Sequence, residues 1–207
     1  MRPLPRLHAV TDSRVLALPD LGIRAAAIAA AGPAVALHAR DRTAGGAVLA
    51  RAALRLQALA RPPEAALIVS ARPDLAAAIG AQGVQLGAGD LAPREARRLL
   101  PHGWIGRSVH DPAEAAAAVD EGADFLVVGP VYPTASHPGR PGVGLALVQA
   151  AAALGRPVIA IGGIDPARAA LVRDAGGYGV AAIGALWDSA DPAGAALALL
   201  APWLEEE

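Results

Sequence analysis

Histidine side chains follow several apolar runs of this chain, and histidine is the residue best suited to proton transfer near neutral pH. His38 and Arg40 are separated by one residue, so both are predicted to point to the same side of an extended segment. Ser108 and His110 repeat that spacing, and His137 lies in a loop rich in glycine and proline that could close over a ligand. Each of these histidines could instead be a surface or structural residue. The candidate acid-base groups are His137, His110 and His38.

Two glycine segments indicate a phosphate site. Gly162-Gly163 precedes Asp165-Pro166, and Ile183-Gly184 ends the last apolar run. Glycine lets a phosphate approach the backbone closely, and amide donors at the start of a helix bind its charge. The glycines could merely turn the chain, but the presence of both segments favours phosphate binding.

Few carboxylate or nucleophilic side chains follow the apolar runs. Asp90 could ligate magnesium, although one carboxylate holds this ion mainly together with substrate phosphates. Asp12 could act as an acid or base, or only cap a loop. The chain has no cysteine, and all 18 basic residues are arginine. These counts exclude disulfides, thiolate metal sites and a Schiff-base lysine.

The composition restricts the partners and the compartment. Hydrophobic residues make up 54% of the chain and the formal net charge is -1. This balance provides no electrostatic argument for binding nucleic acid or an anionic membrane. No stretch reaches the roughly 18 to 20 apolar residues of a membrane span, and the first residues do not form a signal peptide. We therefore expect a cytoplasmic protein, free or self-associated, that acts on a small phosphorylated molecule.

Apolar runs alternate with alanine- and leucine-rich segments along the whole chain. The predicted strands lie at residues 7–10, 34–37, 66–69, 83–86, 104–106, 125–128, 157–161 and 179–183. The predicted helices lie near residues 20–31, 45–60, 73–81, 92–100, 112–121, 144–154, 166–175 and 192–203. Helix starts are predicted at Asp111-Pro112 and Asp165-Pro166, and helix ends at Gly122 and Gly176.

This alternation predicts an α/β fold with a parallel sheet covered on both faces. Eight strand-helix units favour a closed (β/α)8 TIM barrel in which residues 1–207 form a single domain. An open doubly wound sheet is the structural alternative. Active sites of such barrels lie at the carboxyl ends of the strands, which would bring the candidate residues to one mouth.

Four ordered motifs resemble the thiamine phosphate synthase/TenI superfamily, a family of (β/α)8 barrels in thiamine biosynthesis. The resemblance covers nearly the whole chain and is strongest from residue 83 to residue 186. The motifs are Gly83-Val84-Gln85-Leu86-Gly87 with Asp90-Leu91, Ile105-Gly106-Arg107-Ser108-Val109-His110, Gly129-Pro130-Val131-Tyr132-Pro133-Thr134, and Ala160-Ile161-Gly162-Gly163-Ile164.

The resemblance implies two possible activities on this scaffold. The synthase joins a hydroxymethylpyrimidine diphosphate to a thiazole phosphate and releases pyrophosphate with magnesium. The TenI-type tautomerase moves a proton to aromatise a thiazole carboxylate phosphate. The thiazole-phosphate positions of the synthase match well in this chain: Thr134, Ala135 and Ser136 stand in its T-x-T segment, and Gly163, Ile183 and Gly184 match its backbone sites.

The pyrophosphate side of the synthase pattern matches less well. His38-Ala39-Arg40-Asp41 stands for R-x-K-D, Ser70-Ala71 stands for an Asn-Asp pair, and His137 stands for a lysine. Asp90 and Ser108 persist. A leaving diphosphate must be neutralised, so these changes count against the synthase, whereas a proton transfer needs only a bound substrate and a histidine.

We therefore expect a TenI-like thiazole tautomerase, an isomerase without a cofactor, although Pro130 replaces the TenI catalytic histidine. His137 is the first choice for the acid-base group. Arg40, Ser70, Ser108, Thr134, Ser136, Gly163, Ile183 and Gly184 would bind the phosphorylated thiazole. The alternatives are a thiamine phosphate synthase with Mg²⁺ held by Asp90, a non-catalytic binder of thiazole or thiamine phosphates, and an isomerase or epimerase of phosphorylated sugars.

Overall fold

Eight parallel strands close into a barrel in which β1 pairs with both β2 and β8. The structure is a computed structural model that describes residues 2–61, 64–134, 139 and 141–204. The closed barrel confirms the predicted (β/α)8 architecture over the open sheet. The strands are Leu7–Val10 (β1), Val35–Ala39 (β2), Ala66–Ser70 (β3), Gly83–Leu86 (β4), Trp104–Val109 (β5), Phe125–Val128 (β6), Val158–Ile161 (β7) and Gly179–Ala182 (β8).

Helices follow the strands and cover the outside of the barrel. They are Ser13–Leu16 (α1), Leu21–Ala29 (α2), Gly46–Ala60 (α3), Pro73–Ile79 (α4), Pro93–Leu99 (α5), Pro112–Asp120 (α6), Gly144–Ala152 (α7), Pro166–Asp174 (α8), Gly184–Trp187 (α9) and Pro192–Leu200 (α10), with 3₁₀ turns at Gly32–Ala34 and Ala201–Trp203. Within the described ranges, no helix has both the length and the apolar character that crossing a membrane requires.

The predicted helix boundaries are confirmed where capping signals were present. The carboxylates of Asp111 and Asp165 accept hydrogen bonds from the third amide of α6 and α8, and proline occupies the first turn of both helices. Gly122 and Gly176 follow these helices with φ of 87° and 83°, a conformation that glycine adopts without strain. The sequence analysis did not predict the four-residue helices α1 and α9, because one turn is too short to show a helical period.

Inward-facing side chains fill the barrel, and Phe125 occupies its centre. The Phe125 ring lies against Gly106, where an added Cβ would come within 2.2 Å of a ring carbon. Glycine on β5 thus makes room for the phenyl ring. The rest of this interior cluster is aliphatic apart from Trp104, which closes the barrel near the amino ends of the strands: Leu4, Val10, Ala36, Ala66, Ile68, Val127, Ile159 and Ala181.

Two histidines are buried in the same interior and bond to each other. The His38 Nε2 and His8 Nδ1 atoms are 2.8 Å apart, and His8 Nε2 lies 3.0 Å from the carbonyl oxygen of Pro5. Burial lowers the pKa of His8 to about 4. Burial also lowers the pKa of His38 well below its ordinary value, and the positive charges of His8 and Arg40 add to that effect. Both rings are therefore neutral at pH 7.

We predict that this neutral pair makes the fold sensitive to acid. In the unfolded chain His8 takes up a proton below its ordinary pKa of 6.5, whereas the folded protein resists protonation down to about pH 4. The contribution of His8 to the free energy of unfolding is therefore fully present above pH 6.5 and is lost as the pH falls towards 4. The pKa difference of His8 corresponds to about 3 kcal/mol of unfolding free energy.

Urea denaturation at pH 7 and pH 4.5 measures this loss. His8→Gln removes one titrating group and is expected to reduce the difference between the two pH values. His102→Gln, at an exposed position, is the control and should keep the wild-type difference. Equal acid sensitivity in both variants would contradict the prediction.

Candidate functional site

The carboxyl ends of the strands surround one cavity of about 1290 Å³. Every predicted site residue within the described ranges lines it, including residues that are far apart in the sequence. These residues are His38, Arg40, Ser70, Asp90, Ser108, His110, Thr134, Gly163, Ile183 and Gly184. The predicted placement at one mouth is confirmed, whereas their binding roles stay predictions. Ser136 and His137, the latter our first choice for the acid-base group, lie outside the described residues.

Gly163 and Gly184 form the glycine side of the cavity. Gly163 has a φ of +64°, and an added Cβ would lie 2.7 Å from the Pro133 oxygen and 2.9 Å from Tyr132 Cβ. The Gly163 oxygen accepts a hydrogen bond of 2.6 Å from Arg168. The amides of Gly163 and Gly184 donate no hydrogen bond to another described residue. This side of the cavity therefore offers free amide donors to an anion.

Arg40 is the half-buried cation on the opposite wall. The hydroxyl of Thr11 lies 2.9 Å from the Arg40 amide and 3.0 Å from the Arg40 oxygen, which fixes the backbone here. The Arg40 guanidinium has no hydrogen-bond or ion-pair partner in the part of the chain that the structure describes. Burial lowers its pKa and the charge of Arg42 adds to that effect, whereas the carboxylates of Asp12 and Asp41 partly oppose it. An anionic ligand would offset the loss of hydration of the Arg40 guanidinium and its repulsion from Arg42.

The carboxylates of the rim differ in what they already bind. Asp12 accepts the amide of Val15, and Asp41 accepts hydrogen bonds from Ser13 and Thr43, which lower its pKa. Asp90 accepts only one hydrogen bond among the described residues, 2.6 Å from the Gly87 amide. Asp12 and Asp90 thus accept one hydrogen bond each, whereas Asp41 accepts several, so Asp90 keeps acceptor capacity for a metal ion.

Neutral polar groups lie on the strands between Arg40 and Asp90. The Ser70 Oγ atom is buried and has no hydrogen-bond partner among the described residues. Gln85 lies beside Ser70 in the sheet register, and its side-chain amide donates a hydrogen bond of 2.6 Å to the Ser108 hydroxyl. His110 is more exposed and lies 2.9 Å from the Glu114 carboxylate through Nδ1.

Sequence reasoning did not single out several residues of this cavity, among them His8 and Gln85. Gln85 lies two residues after Gly83 on β4, so the same alternation that identified Arg40 could have found it. Arg72 follows β3 and donates to Asp74 at 2.8 Å, which holds it at the rim. His8 carries no signal of its own, because its role depends on the pairing of β1 with β2.

The residues present fit a magnesium ion that arrives with a diphosphate. Within the described residues, no group of three or more histidine, aspartate or glutamate side chains could hold a metal. Asp90 supplies one carboxylate, and the unpartnered Ser70 hydroxyl lies on the neighbouring strand β3. Mg²⁺ commonly binds through one or two carboxylates together with substrate phosphates and water. Asp90 would therefore be its protein ligand.

Comparison with known proteins gives a consistent family. The family model described as thiamine monophosphate synthase (TMP-TENI) matches residues 7–186. A thiamine-phosphate synthase of Thermus thermophilus is 48% identical over 147 residues, which are 70% of this chain and 71% of that protein. The thiamine-phosphate synthase of Mycobacterium tuberculosis is 43% identical over 164 residues, 77% of this chain and 71% of that protein.

A solved structure extends the similarity to the whole fold. Thiamine phosphate pyrophosphorylase from Pyrococcus furiosus superposes with a TM-score of 0.81 at 30% identity, covering 97% of this chain and 96% of that chain. The names of these relatives favour the synthase over the tautomerase.

The expectation of an isomerase closer to TenI-like thiazole tautomerase is therefore wrong. It rested on changed residue types on the pyrophosphate side, but the structure keeps an unpaired guanidinium and a carboxylate there. Arginine carries the same charge as the lysine it replaces, so a change of residue type need not remove the function. On the match over residues 7–186 and on these relatives, the chain belongs to the thiamine monophosphate synthase (TMP-TENI) family.

Proposed function

We propose that this protein is a thiamine-phosphate synthase, a transferase that joins hydroxymethylpyrimidine diphosphate to thiazole phosphate. The observation that supports it most is the division of one cavity into two anion-binding sides. Arg40 without a partner, together with Asp90, lies on one side, and the free amides of Gly163 and Gly184 lie on the other. Two phosphorylated substrates need two such sides.

The reaction requires no proton transfer. The thiazole nitrogen forms a bond to the pyrimidine methylene carbon, the carbon-oxygen bond to the diphosphate breaks, and its electron pair leaves with the diphosphate. The product is thiamine phosphate. The protein must therefore align two rings and neutralise the leaving group, rather than supply an acid or base.

The described residues suit these two tasks. Arg40 would bind the diphosphate, and Arg42 adds positive charge at the rim. The free amides of Gly163 and Gly184 would hold the thiazole phosphate, with Thr134 on the same wall. Magnesium bound with Asp90 and the diphosphate oxygens would neutralise charge on the leaving group. A cytoplasmic location and small phosphorylated substrates belong to the same proposal.

The direct test is product analysis with both substrates. We expect the purified protein to form thiamine phosphate and pyrophosphate in equal amounts, and chelation of Mg²⁺ to abolish both. Chromatography of the reaction mixture measures them. Binding of both substrates without any product would contradict the proposal and favour a non-catalytic binder. No binding of either substrate would favour a barrel with a different substrate.

Asp90→Asn is predicted to impair the Mg²⁺-dependent reaction without disturbing the loop. Asparagine can still accept the Gly87 amide through its Oδ1, so the loop geometry remains while the charge is lost. We expect a rate loss of about 100-fold at low Mg²⁺, of the size found when one stabilising group of a transition state is removed, with partial recovery at high Mg²⁺.

Asp12→Asn is the matched control for this variant. Asp12 lines the same cavity, and asparagine would still accept the Val15 amide as a helix cap. We expect its Mg²⁺ dependence to remain close to that of the wild type. Similar losses in both variants would mean that Asp90 has no special relation to the ion.

Gly163→Ala is predicted to weaken thiazole phosphate binding selectively. The new methyl group would meet Pro133 and Tyr132 below 3 Å at a φ of +64°, so the loop must move. We expect the Kd of thiazole phosphate to rise about tenfold or more, corresponding to about 1.4 kcal/mol, with little effect on the pyrimidine diphosphate. Calorimetry measures both, and Gly89→Ala, with nothing within 4 Å on the same cavity, is the control.

A further inference from the structure

The hydrogen bonds of the buried histidine pair fix the protonation of both rings. The Pro5 oxygen can only accept, so His8 must carry its proton on Nε2. His8 is neutral, which leaves its Nδ1 as an acceptor for His38 Nε2–H at 2.8 Å. His38 is neutral as well, so its remaining nitrogen, Nδ1, carries a lone pair and no proton.

This lone pair is not used within the part of the chain that the structure describes. No hydrogen bond to His38 Nδ1 occurs there, although His38 is only 2% exposed. His38 lines the cavity at the carboxyl end of the barrel, one inward position below Arg40. An acceptor without a protein partner at the wall of a cavity can take a hydrogen bond from a ligand, so the site suits a ligand with a hydrogen-bond donor.

The surroundings of His38 suit a flat, uncharged ring. Val10, Val127, Ile161 and Ala181 line the same cavity and are apolar. The Phe125 ring packs edge-to-face with His8, with ring centroids 5.5 Å apart. Charged groups of this wall, by contrast, belong to rim positions such as Arg40. A substrate bound through its diphosphate at Arg40 would direct its ring towards His38.

Only one of the two proposed substrates carries a suitable donor. The pyrimidine of the thiamine pathway has an exocyclic amino group, whereas the thiazole ring has no N–H and its nitrogen must face the reacting carbon. The donor that matches His38 Nδ1 is therefore the amino group of the pyrimidine. A ring held through this group has a defined orientation for attack on the neighbouring methylene carbon.

We propose that His38 Nδ1 accepts a hydrogen bond from the exocyclic amino group of the pyrimidine substrate, and that His8 is the positioning residue that fixes the required tautomer of His38. This inference rests on the proposed function, because it concerns the recognition of that pyrimidine. It assigns His38 to substrate specificity rather than to acid-base catalysis.

Two substitutions of His38 separate its two nitrogens. The amide nitrogen of His38→Gln can replace Nε2–H and keep the bond to His8, but it leaves no acceptor at Nδ1. The Oδ1 atom of His38→Asn can replace Nδ1 as an acceptor, but the bond to His8 is lost. We expect His38→Gln to raise the Kd of the pyrimidine diphosphate about tenfold and His38→Asn to raise it less. The Kd of thiazole phosphate should stay unchanged in both.

The substrate provides the complementary change. A pyrimidine diphosphate that lacks the amino group should bind the wild type about tenfold more weakly than the normal substrate does. The His38→Gln variant should bind the two compounds with similar affinity. Equal binding of the two compounds by the wild type, or the same loss in the wild type and in His38→Gln, overturns the proposal.

The role of His8 is tested by a second pair of variants. His8→Phe removes the acceptor for His38 Nε2–H and is expected to weaken pyrimidine binding, whereas the Oδ1 of His8→Asn can replace Nδ1 and restore much of it. Equal pyrimidine affinity in His8→Phe and wild type contradicts the positioning role. This pair also keeps the proposal testable if His38→Gln does not fold, as judged by circular dichroism.

The outcomes for the two proposals are distinguishable. All of these affinities are measured by calorimetry with one substrate at a time, so they do not depend on turnover. An inactive protein that shows the His38 pattern would retain the inference and reject the synthase activity. An active protein whose His38→Gln variant binds the pyrimidine normally would retain the activity and reject the inference.

Discussion

Closure of the parallel barrel is the constraint on which the site depends. Because β1 pairs with both β2 and β8, residues from the two ends of the chain come close together at one mouth. Gly184 at the end of β8 and Arg40 after β2 are 144 positions apart in the sequence, yet they line the same cavity. An open sheet would leave these groups on distant edges, and the two anion-binding sides would not share a substrate.

Charge balance at this mouth is consistent with the two phosphorylated substrates of the proposed function. All 18 basic residues are arginine, and a guanidinium keeps its charge when it is partly buried. The Asp41 carboxylate already accepts several hydrogen bonds, whereas Asp90 accepts one and keeps capacity for a metal ion. The neutral groups between them, Ser70 and Gln85, separate the cation from the carboxylate without adding charge.

The fold was predictable because each local signal agreed with the global one. Continuous apolar runs marked buried parallel strands, and Asp111 and Asp165 marked helix starts that the structure confirms. Side-chain alternation placed Arg40 at the mouth. The bond between His8 and His38 could not be predicted, because it depends on the register in which His8 lies opposite Ala36 and His38 opposite Val10. That register is a property of the assembled sheet.

The same pair shows why His38, one of the three candidate histidines, is not suited to proton transfer. Histidines at strand ends suggested proton transfer, since their ordinary pKa lies near neutrality. Burial removes that capacity from His8 and His38 and holds both rings neutral. The same burial gives His38 a different capacity. When one nitrogen of a neutral ring donates a hydrogen bond, the other nitrogen is an acceptor with a fixed direction. The proposed substitution at carbon transfers no proton, so it would gain more from such a fixed acceptor than from a titrating group.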